Sequence, residues 1–200
     1  NSVTKSESIS PDSLFNEGEN TTHYSIIDND GNVVSTTYTL GYSFGSGVTI
    51  PGTGILLNNQ MNNFAYQYGD SEVIDRSASI GNRFEPGKRP MSTMSPIIVF
   101  DQNNSIKLIT GSPGGALIPA AILRVVTGII DFNLTLGEAS MLPRIHKDWP
   151  YENLLLERGF SKDTLNILQS FGHEIEESKT MGSTQSILIS SKGIEGFADL

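Results

Sequence analysis

The most constraining feature of this sequence is a β-hairpin signal that follows directly after a polar N-terminal tract. Residues 23–28 and 33–39 are predicted to be paired strands, because they flank the tight-turn sequence Asn29-Asp30-Gly31-Asn32. Residues 1–20 are rich in Ser, Asn and Glu and show no apolar periodicity, which predicts a flexible linker or tail. The sequence therefore predicts a tail over 1–20 and a folded domain over 21–200.

The remaining pattern separates strands from helices along the chain. Strands are predicted at 97–100, at 106–110 and two or three times within 174–198, and helices at 119–132, 134–140 and 161–171. Ser161 is a favourable N-cap for the last helix, and Gly172 is expected to end it. This segregation favours an α+β fold with helices packed on an antiparallel sheet. The polar segment 66–90 is long for a simple connection and is predicted to be a functional lid.

The charge balance and the missing cysteines exclude several classes of function. Lys and Arg number 13 against 22 Asp and Glu, so the net charge of −9 disfavours a nucleic-acid partner. The absence of cysteine excludes disulfides, thiolate metal sites and cysteine nucleophiles. No run approaches the roughly 18 apolar residues of a membrane span. The histidines, His23, His146 and His173, lack the spacing of paired metal ligands, so no metal site is expected.

Two places in the sequence have the residue types that catalysis needs. Thr21, at the start of a strand after a dispensable tail, is where a self-cleaving precursor would place an N-terminal nucleophile. The α-amine of such a residue suits a general base, because its pKa of roughly 7.7–8.0 is near ambient pH. The second place is the sequence GSPGG at 111–115, which lacks the Lys-Ser/Thr of a phosphate loop. Its Gly114-Gly115 pair is either a structural strand-to-helix turn or a pair of oxyanion donors, and the pattern leaves both open.

Five ordered blocks connect these places to a known family. They are TTHYS at 21–25 with Asp28 and DGN at 30–32, GILLNNQM at 54–61, KRPMSTMSP at 88–96, TGSPGG at 110–115 and MGSTQS at 181–186. From residue 21 onward the chain closely resembles the small subunit of γ-glutamyltransferases, which are N-terminal-nucleophile hydrolases. The resemblance implies a four-layer αββα sandwich with two antiparallel sheets shared between two subunits. Residues 21–200 would form the small-subunit half, truncated at its C-terminus, and residues 1–20 would be the tail of the large-subunit half.

The resemblance also implies a role for individual residues. The precursor would cut itself at the Asn20–Thr21 bond, and the Thr21 hydroxyl would then attack γ-glutamyl amides such as glutathione. Thr39 would hydrogen-bond the nucleophile, and the N–H groups of Gly114 and Gly115 would form the oxyanion hole. The residues implied for substrate binding are Gln60, Asn63, Ser92 and Thr93. A capped turn is the structural alternative for Ser92 and Thr93.

Two departures from the family pattern concern recognition of the substrate α-amine. Well-studied members have Asp-Asp where this chain has Asn62-Asn63, so a charge-assisted bond worth roughly 1–3 kcal/mol is missing. Gly41 stands where an Asn often contacts the same amine. Both changes move the expectation towards acyl groups without a free amine, as in the cephalosporin-acylase branch. A non-catalytic relative is a further alternative, although Thr21, Thr39, Ser92, Gly114 and Gly115 are all present.

The remaining expectations concern partners and location. The resemblance implies a heterodimer with the large subunit of the same precursor, which supplies a substrate-binding Arg. It implies glutathione or another γ-glutamyl small molecule as substrate, no metal or organic cofactor, and export to the periplasm or secretion. The sequence begins without Met or a signal peptide and stops abruptly, so both ends are expected to be cut from a longer chain.

Overall fold

The computed structural model of the chain describes residues 21–65, 80–148 and 152–199. In chain order the elements are β1 (Thr22–Ile27), β2 (Val33–Tyr38), β3 (Ile97–Phe100), β4 (Ile106–Thr110), α1 (Ile118–Ile130), α2 (Leu136–Met141), β5 (Ile145–Lys147), β6 (Asn153–Leu156), α3 (Lys162–Ser170), β7 (Glu174–Glu177), β8 (Gln185–Ser190) and β9 (Gly193–Ala198). The predicted tail at 1–20 and residues 66–79 of the predicted lid lie outside the described residues. Within the described ranges, no helix combines the length and the apolar character needed to cross a membrane.

Strands β1 and β2 form the predicted antiparallel hairpin, in a register that pairs Thr22 with Tyr38 and Ile27 with Val33. The turn is closed by the Asp28 carboxylate, which accepts hydrogen bonds from the backbone N–H groups of Asp30 and Asn32 at 2.9 and 2.8 Å. A hydrogen bond from the Asn32 side chain to the ionised carboxylate, followed by these backbone bonds, lowers the pKa of Asp28. The hairpin prediction is confirmed, with each strand shifted or shortened by one residue.

A four-stranded antiparallel sheet in the order β3-β4-β8-β9 forms the centre of the structure. Helices α1 and α2 cover one face of it, and the core between them contains Leu108, Val125, Ile129, Leu136 and Ala139. Helix α1 has Pro near its N-terminus, and α2 begins with a capping box between Thr135 and Glu138. The predicted strands at 97–100 and 106–110 and both helices of this layer are confirmed.

The hairpin packs on the opposite face of this sheet. Leu108 of β4 faces the helices, so Ile109 and Gly111, which alternate with it, face the other way. The imidazole of His23 lies directly on Gly111, and Ser25 and Ser35 donate hydrogen bonds to the backbone oxygens of the sheet. The described residues therefore form three successive layers, which are helices, a four-stranded sheet and a two-stranded hairpin.

A second sheet, in the order β5-β6-β7, was not predicted from the sequence. Strands β6 and β7 run parallel and are connected through α3, so this smaller sheet contains a parallel pair beside the predicted antiparallel sheet. Strands β5 and β6 have only three and four residues, which is too short for alternation to mark them. Helix α3 is capped by Ser161 and followed by Gly172 at φ +90°, both as predicted.

A buried arginine joins these two sheets. Arg144, which is 2% exposed, forms ion pairs with Glu157 and with Asp199. Its guanidinium also donates to the backbone oxygens of Ser140 at 3.1 Å and Gly182 at 3.4 Å. Glu157 in turn accepts the backbone N–H of Met181. The end of α2, the end of β6 and the segment 181–184 are therefore held by one cation and two carboxylates.

We expect Arg144→Met to destabilise the full-length protein by about 3–5 kcal/mol, because removal of the cation leaves two carboxylates, 12% and 11% exposed, without a counter-charge. Arg158→Met is the matched control, since the Arg158–Glu177 pair is 85% and 60% exposed. Its loss should cost less than about 1 kcal/mol. Urea denaturation followed by tryptophan fluorescence measures both. Equal losses in the two variants would contradict the role given to Arg144.

Candidate active site

The open end of the hairpin brings Thr21 and Thr39 to neighbouring positions. Thr22 pairs with Tyr38, so one further step of the same register places Thr21 opposite Thr39. The Thr39 hydroxyl oxygen accepts the backbone N–H of Gly41 at 2.9 Å. Because this oxygen is used as an acceptor, the hydroxyl hydrogen of Thr39 remains available for a neighbour. The candidate nucleophile and its candidate partner therefore lie side by side.

The face of the hairpin that points into the structure is polar. His23 is 5% exposed, whereas its neighbours Thr22 and Tyr24 are exposed. Ser25 donates to the Gln185 oxygen at 2.9 Å, and Ser35 donates to the Thr110 oxygen at 3.0 Å. Thr21 alternates with His23 and Ser25 and so belongs to the same inward face.

The inward contacts advance along β4 as the hairpin approaches its open end. Ser35 meets Thr110, and His23, two residue pairs closer to the open end, meets Gly111. The next inward position is Thr21, which directly precedes β1, and the chain beyond Gly111 leads to the glycine pair. The inward contacts therefore advance towards the glycine pair, and the proximity of Thr21 to Gly114 and Gly115 stays a prediction.

The glycine pair forms a tight turn at the start of the first long helix. Gly114 has φ +133° and Gly115 has φ +55°, conformations that favour glycine. A Cβ at position 114 would also lie only 3.0 Å from the Cα of Gly182. Within the described ranges, neither glycine N–H has a hydrogen-bond acceptor. Two donors at the N-terminus of α1 suit an oxyanion. The backbone conformation of the turn is equally consistent with glycines that serve only as a strand-to-helix turn, so both alternatives stay open.

The candidate binding residues Gln60 and Asn63 are joined to the segment that contains Ser92. The Asn63 side-chain nitrogen donates to Gln60 Oε1 at 3.1 Å and to the Met91 oxygen at 3.2 Å. Asn82 bridges the same two segments, since its side-chain nitrogen donates to the backbone oxygen of Asn63 at 2.7 Å and its side-chain oxygen accepts the Met91 N–H at 3.0 Å. The side-chain nitrogen of Asn63 is therefore engaged, and its side-chain oxygen Oδ1 is the atom left for a ligand.

Gly41 connects this cluster to the hairpin. The Asn59 side chain fills the space that a side chain at 41 would need, and its oxygen accepts the Tyr42 N–H at 3.0 Å. The Asn59 backbone N–H donates to the Leu40 oxygen at 2.9 Å. An amide side chain is thus present beside the Gly41 position, although it comes from Asn59.

Ser92 and Thr93 lie in a turn. Ser92 is exposed, and its hydroxyl oxygen accepts the Met94 N–H at 3.2 Å. The Thr93 backbone oxygen accepts the Ser95 hydroxyl at 2.8 Å. The capped-turn interpretation therefore holds for Ser92, and the hydroxyl hydrogen of Ser92 is still available to a carboxylate. The binding roles of both residues stay predictions.

Sequence reasoning missed three residues that organise the site: His23, Asn59 and Asn82. For His23, the sequence spacing excluded a paired metal ligand and predicted no other role. A signal was present, because Thr21, His23 and Ser25 alternate with the apolar Tyr24 and Ile26, so this face of the strand is polar from residue 21 to residue 25. Asn59 and Asn82 had no such signal, since their contacts join segments distant in sequence. In the described part of the chain, no three His, Asp or Glu side chains come together as a metal site would require.

Comparison with known proteins places these features in a family context. A sequence model of the family described as Gamma-glutamyltranspeptidase matches residues 2–200. The glutathione hydrolase proenzyme of Escherichia coli (strain K12) is 44% identical over 177 residues, which are 88% of this chain and 30% of that protein. The glutathione hydrolase proenzyme of Pseudomonas sp. (strain A14) is 38% identical over 192 residues, covering 96% of this chain and 33% of that protein.

Solved structures agree with the sequence comparison. A threonine-to-alanine mutant of Helicobacter pylori gamma-glutamyltranspeptidase matches with a TM-score of 0.79 at 38% identity, over 89% of this chain and 98% of that chain. A cephalosporin acylase from Bacillus halodurans matches with a TM-score of 0.70 at 29% identity, over 86% of this chain and 31% of that chain. The chain spans about a third of the length of the curated relatives it matches.

Stability should depend on pH through His23. Burial lowers the pKa of His23 from 6.5 to about 4, so the unfolded chain binds this proton more readily than the folded chain. The part of the free energy of unfolding that depends on His23 should therefore be fully present above pH 6.5. It should decrease as the pH falls towards 4, by at most about 3 kcal/mol. The check is the urea midpoint of the full-length protein at pH 7.5 and 4.5. His23→Asn, which has no titratable ring, should lose less between these values, and an identical loss would contradict the assignment.

Proposed function

This chain belongs to the gamma-glutamyltranspeptidase family, and we propose that it is the small-subunit half of a self-processing γ-glutamyltransferase and glutathione hydrolase. The observation that carries the proposal is the inward face of the hairpin. It supports a position of Thr21 beside Thr39 and close to the donor pair at Gly114 and Gly115, because the hairpin register continues to the first pair and the inward contacts advance to Gly111. A nucleophile, a hydroxyl partner and oxyanion donors are three of the groups that acyl transfer needs, and the α-amine of Thr21 would supply the general base.

The first step of the proposed mechanism is cleavage of the precursor before Thr21. The Thr21 hydroxyl attacks the Asn20 carbonyl carbon, the peptide C–N bond breaks, and the Thr21 nitrogen takes up the proton that the hydroxyl loses. Water then hydrolyses the resulting ester. The products are a carboxylate at Asn20, a free hydroxyl on Thr21 and a free α-amine on the same residue.

The free amine makes the second reaction possible. It accepts the Thr21 hydroxyl proton as the oxygen attacks the γ-carbonyl of a γ-glutamyl amide. The Gly114 and Gly115 N–H groups stabilise the tetrahedral oxyanion, and the hydroxyl of Thr39 donates to the nucleophilic oxygen. The leaving amine takes the proton from the α-ammonium group, and a γ-glutamyl ester remains on Thr21. Water or an acceptor amine then removes the acyl group.

Substrate recognition is proposed for the cluster at the open end of the hairpin. Ser92 and Thr93 would donate hydroxyl hydrogens to the glutamyl α-carboxylate, and Gln60 and Asn63 would accept hydrogen bonds from the α-ammonium group. The hydrogen bonds from Asn63 to Gln60 and to Met91 support this grouping, because they hold both segments in one place.

The outer face of the hairpin supports a partner subunit. Tyr24, Ile26, Val34 and Tyr38 are between 42% and 55% exposed on it. An isolated two-stranded hairpin with an exposed apolar face is marginally stable in water. The remaining two thirds of the precursor, which the curated relatives possess, would supply the layers that cover this face.

Mutation of Thr21 tests the proposed nucleophile. In the full-length protein, Thr21→Ala should abolish cleavage at Asn20–Thr21, because alanine has no hydroxyl to attack the carbonyl. Turnover of γ-glutamyl-p-nitroanilide should fall to background for the same reason. Intact-mass analysis follows the cleavage, and release of p-nitroaniline follows the activity.

Thr22→Ala is the matched control for this test. Thr22 is the adjacent threonine, but its side chain lies on the exposed face. Its loss should leave cleavage complete and activity within about twofold. Continued cleavage of Thr21→Ala at the same bond would remove Thr21 as the nucleophile. A native protein that stays uncut and inactive would support the non-catalytic alternative instead.

One observation favours a second candidate, an N-acyl amidohydrolase that uses the same nucleophile. Asn63 offers a neutral amide oxygen at the position where well-studied members have a carboxylate, so attraction to a substrate ammonium is weaker. The similarity to a cephalosporin acylase points in the same direction.

The acyl preference separates the two candidates. A γ-glutamyltransferase should turn over γ-glutamyl-p-nitroanilide at least about tenfold faster than glutaryl-p-nitroanilide, measured as kcat/KM. Asn63→Asp should raise that ratio by a further factor of about 10, since a charge-assisted bond adds about 1.4 kcal/mol or more. Equal or faster turnover of the glutaryl substrate by the native protein would favour the amidohydrolase.

A further inference from the structure

We propose that His23 is a positioning residue that sets the spacing between β1, which Thr21 directly precedes, and the glycine turn at residues 111–115, which follows β4. The inference rests on the proposed function, because it concerns the geometry of the same reaction centre. His23 lies two residues from Thr21 on the inward face, and it is 5% exposed. Its imidazole contacts β1, β2 and the residue that begins the turn.

The hydrogen bonds assign one tautomer to the His23 ring. Ser25 Oγ donates its only hydrogen to the Gln185 oxygen at 2.9 Å, so it acts as an acceptor for His23 Nε2 at 3.2 Å. The proton is therefore on Nε2. The ring is neutral, as its low pKa of about 4 indicates, so Nδ1 is an acceptor. Thr37 Oγ1, 2.7 Å away, must then be the donor to Nδ1.

The ring also explains why residue 111 is glycine. Gly111 does not lie in the left-handed region, so its backbone conformation does not require glycine. A Cβ at this position would instead overlap Cε1 and Nδ1 of the imidazole. The ring occupies the volume of the missing side chain, and it packs directly on the backbone at the start of the glycine turn.

These contacts close a loop between the hairpin and the four-stranded sheet. His23 bonds to Ser25, Ser25 bonds to the Gln185 oxygen, and the Gln185 N–H donates to the Gly111 oxygen at 3.0 Å. Gly111 in turn packs against the ring. The distance between β1 and the glycine turn is therefore set by one imidazole. A change in that distance moves Thr21 relative to the oxyanion donors and leaves the binding cluster around Asn63 in place.

The expected signature is a loss in kcat with little change in KM. In the full-length, processed protein, His23→Leu should lower kcat by about 30- to 100-fold, since small misplacements of reacting groups cost up to about 100-fold. KM for γ-glutamyl-p-nitroanilide should stay within about threefold. His23→Asn keeps an acceptor for Thr37 and should recover about tenfold of the lost kcat. Thr37→Val removes only the donor to Nδ1 and should lower kcat by about 3- to 10-fold.

Ser35→Ala is the matched control for the hairpin contact. Ser35 also donates from the hairpin to the sheet, at 3.0 Å to the Thr110 oxygen, but it has no hydrogen bond to the imidazole. Its kcat should stay within about twofold of the native value. In a double-mutant cycle, Thr37→Val should cost less in the His23→Leu background than in the native protein, because the two residues share one bond.

The outcomes separate this proposal from the proposed function. A native protein that neither cleaves itself nor turns over the substrate would overturn both. An active native protein whose His23→Leu variant keeps its kcat, or loses activity mainly through KM, would overturn only the role of His23. If His23→Leu fails to fold or process, Thr37→Val and Ser35→Ala decide. Equal losses of kcat in those two variants would then overturn the proposal.

Discussion

The structure depends on the requirement that the polar inner face of the hairpin find hydrogen-bond partners inside the protein. Two strands whose inward positions are hydroxyls and an imidazole cannot be buried by packing alone, because each unpaired polar group costs about 1–3 kcal/mol. The sheet meets this requirement with backbone oxygens at Thr110 and Gln185. These contacts allow little sliding, since hydrogen bonds require specific atom positions and apolar contacts do not. The placement of Thr21 follows from the contacts nearest to it in the strand, which are those of His23 and Ser25.

Ion pairs support the glycine turn on the side opposite His23. Segment 181–184 lies against Gly114, and Arg144 and Glu157 hold that segment through the Gly182 oxygen and the Met181 N–H. Ser112 adds a further bond, because its hydroxyl oxygen accepts the Ser183 N–H at 2.9 Å. The turn is therefore enclosed between a buried imidazole and a buried ion-pair cluster. Neither support belongs to the reacting set, and both lie in the chain far from the glycines they hold.

Local sequence signals predicted most of the elements and few of the contacts. The hairpin, the capped helix after Ser161 and the strands at 97–100 and 106–110 depend on neighbours in the sequence, and they were predicted to within one or two residues. The short strands β5 and β6 were missed, because their pairing is decided by α3 and by Arg144 rather than by their own pattern. Resemblance to a family supplied the candidate residues. It could not supply His23 as an organising residue, because that conclusion needs the contact with Gly111.

The arrangement of the hairpin also explains how cleavage could create an active site without disturbing it. The hydrogen bonds that fix β1 are made by residues 23 and 25, which follow the Asn20–Thr21 bond in the chain. Cleavage before Thr21 removes none of them, so the strand keeps its register with β2 and its distance from the sheet. On Thr21 itself, the change is that an amide nitrogen becomes an amine. A nucleophile placed by contacts on its C-terminal side can thus gain its general base in place, whereas one held by the preceding chain would lose its position when the chain is cut.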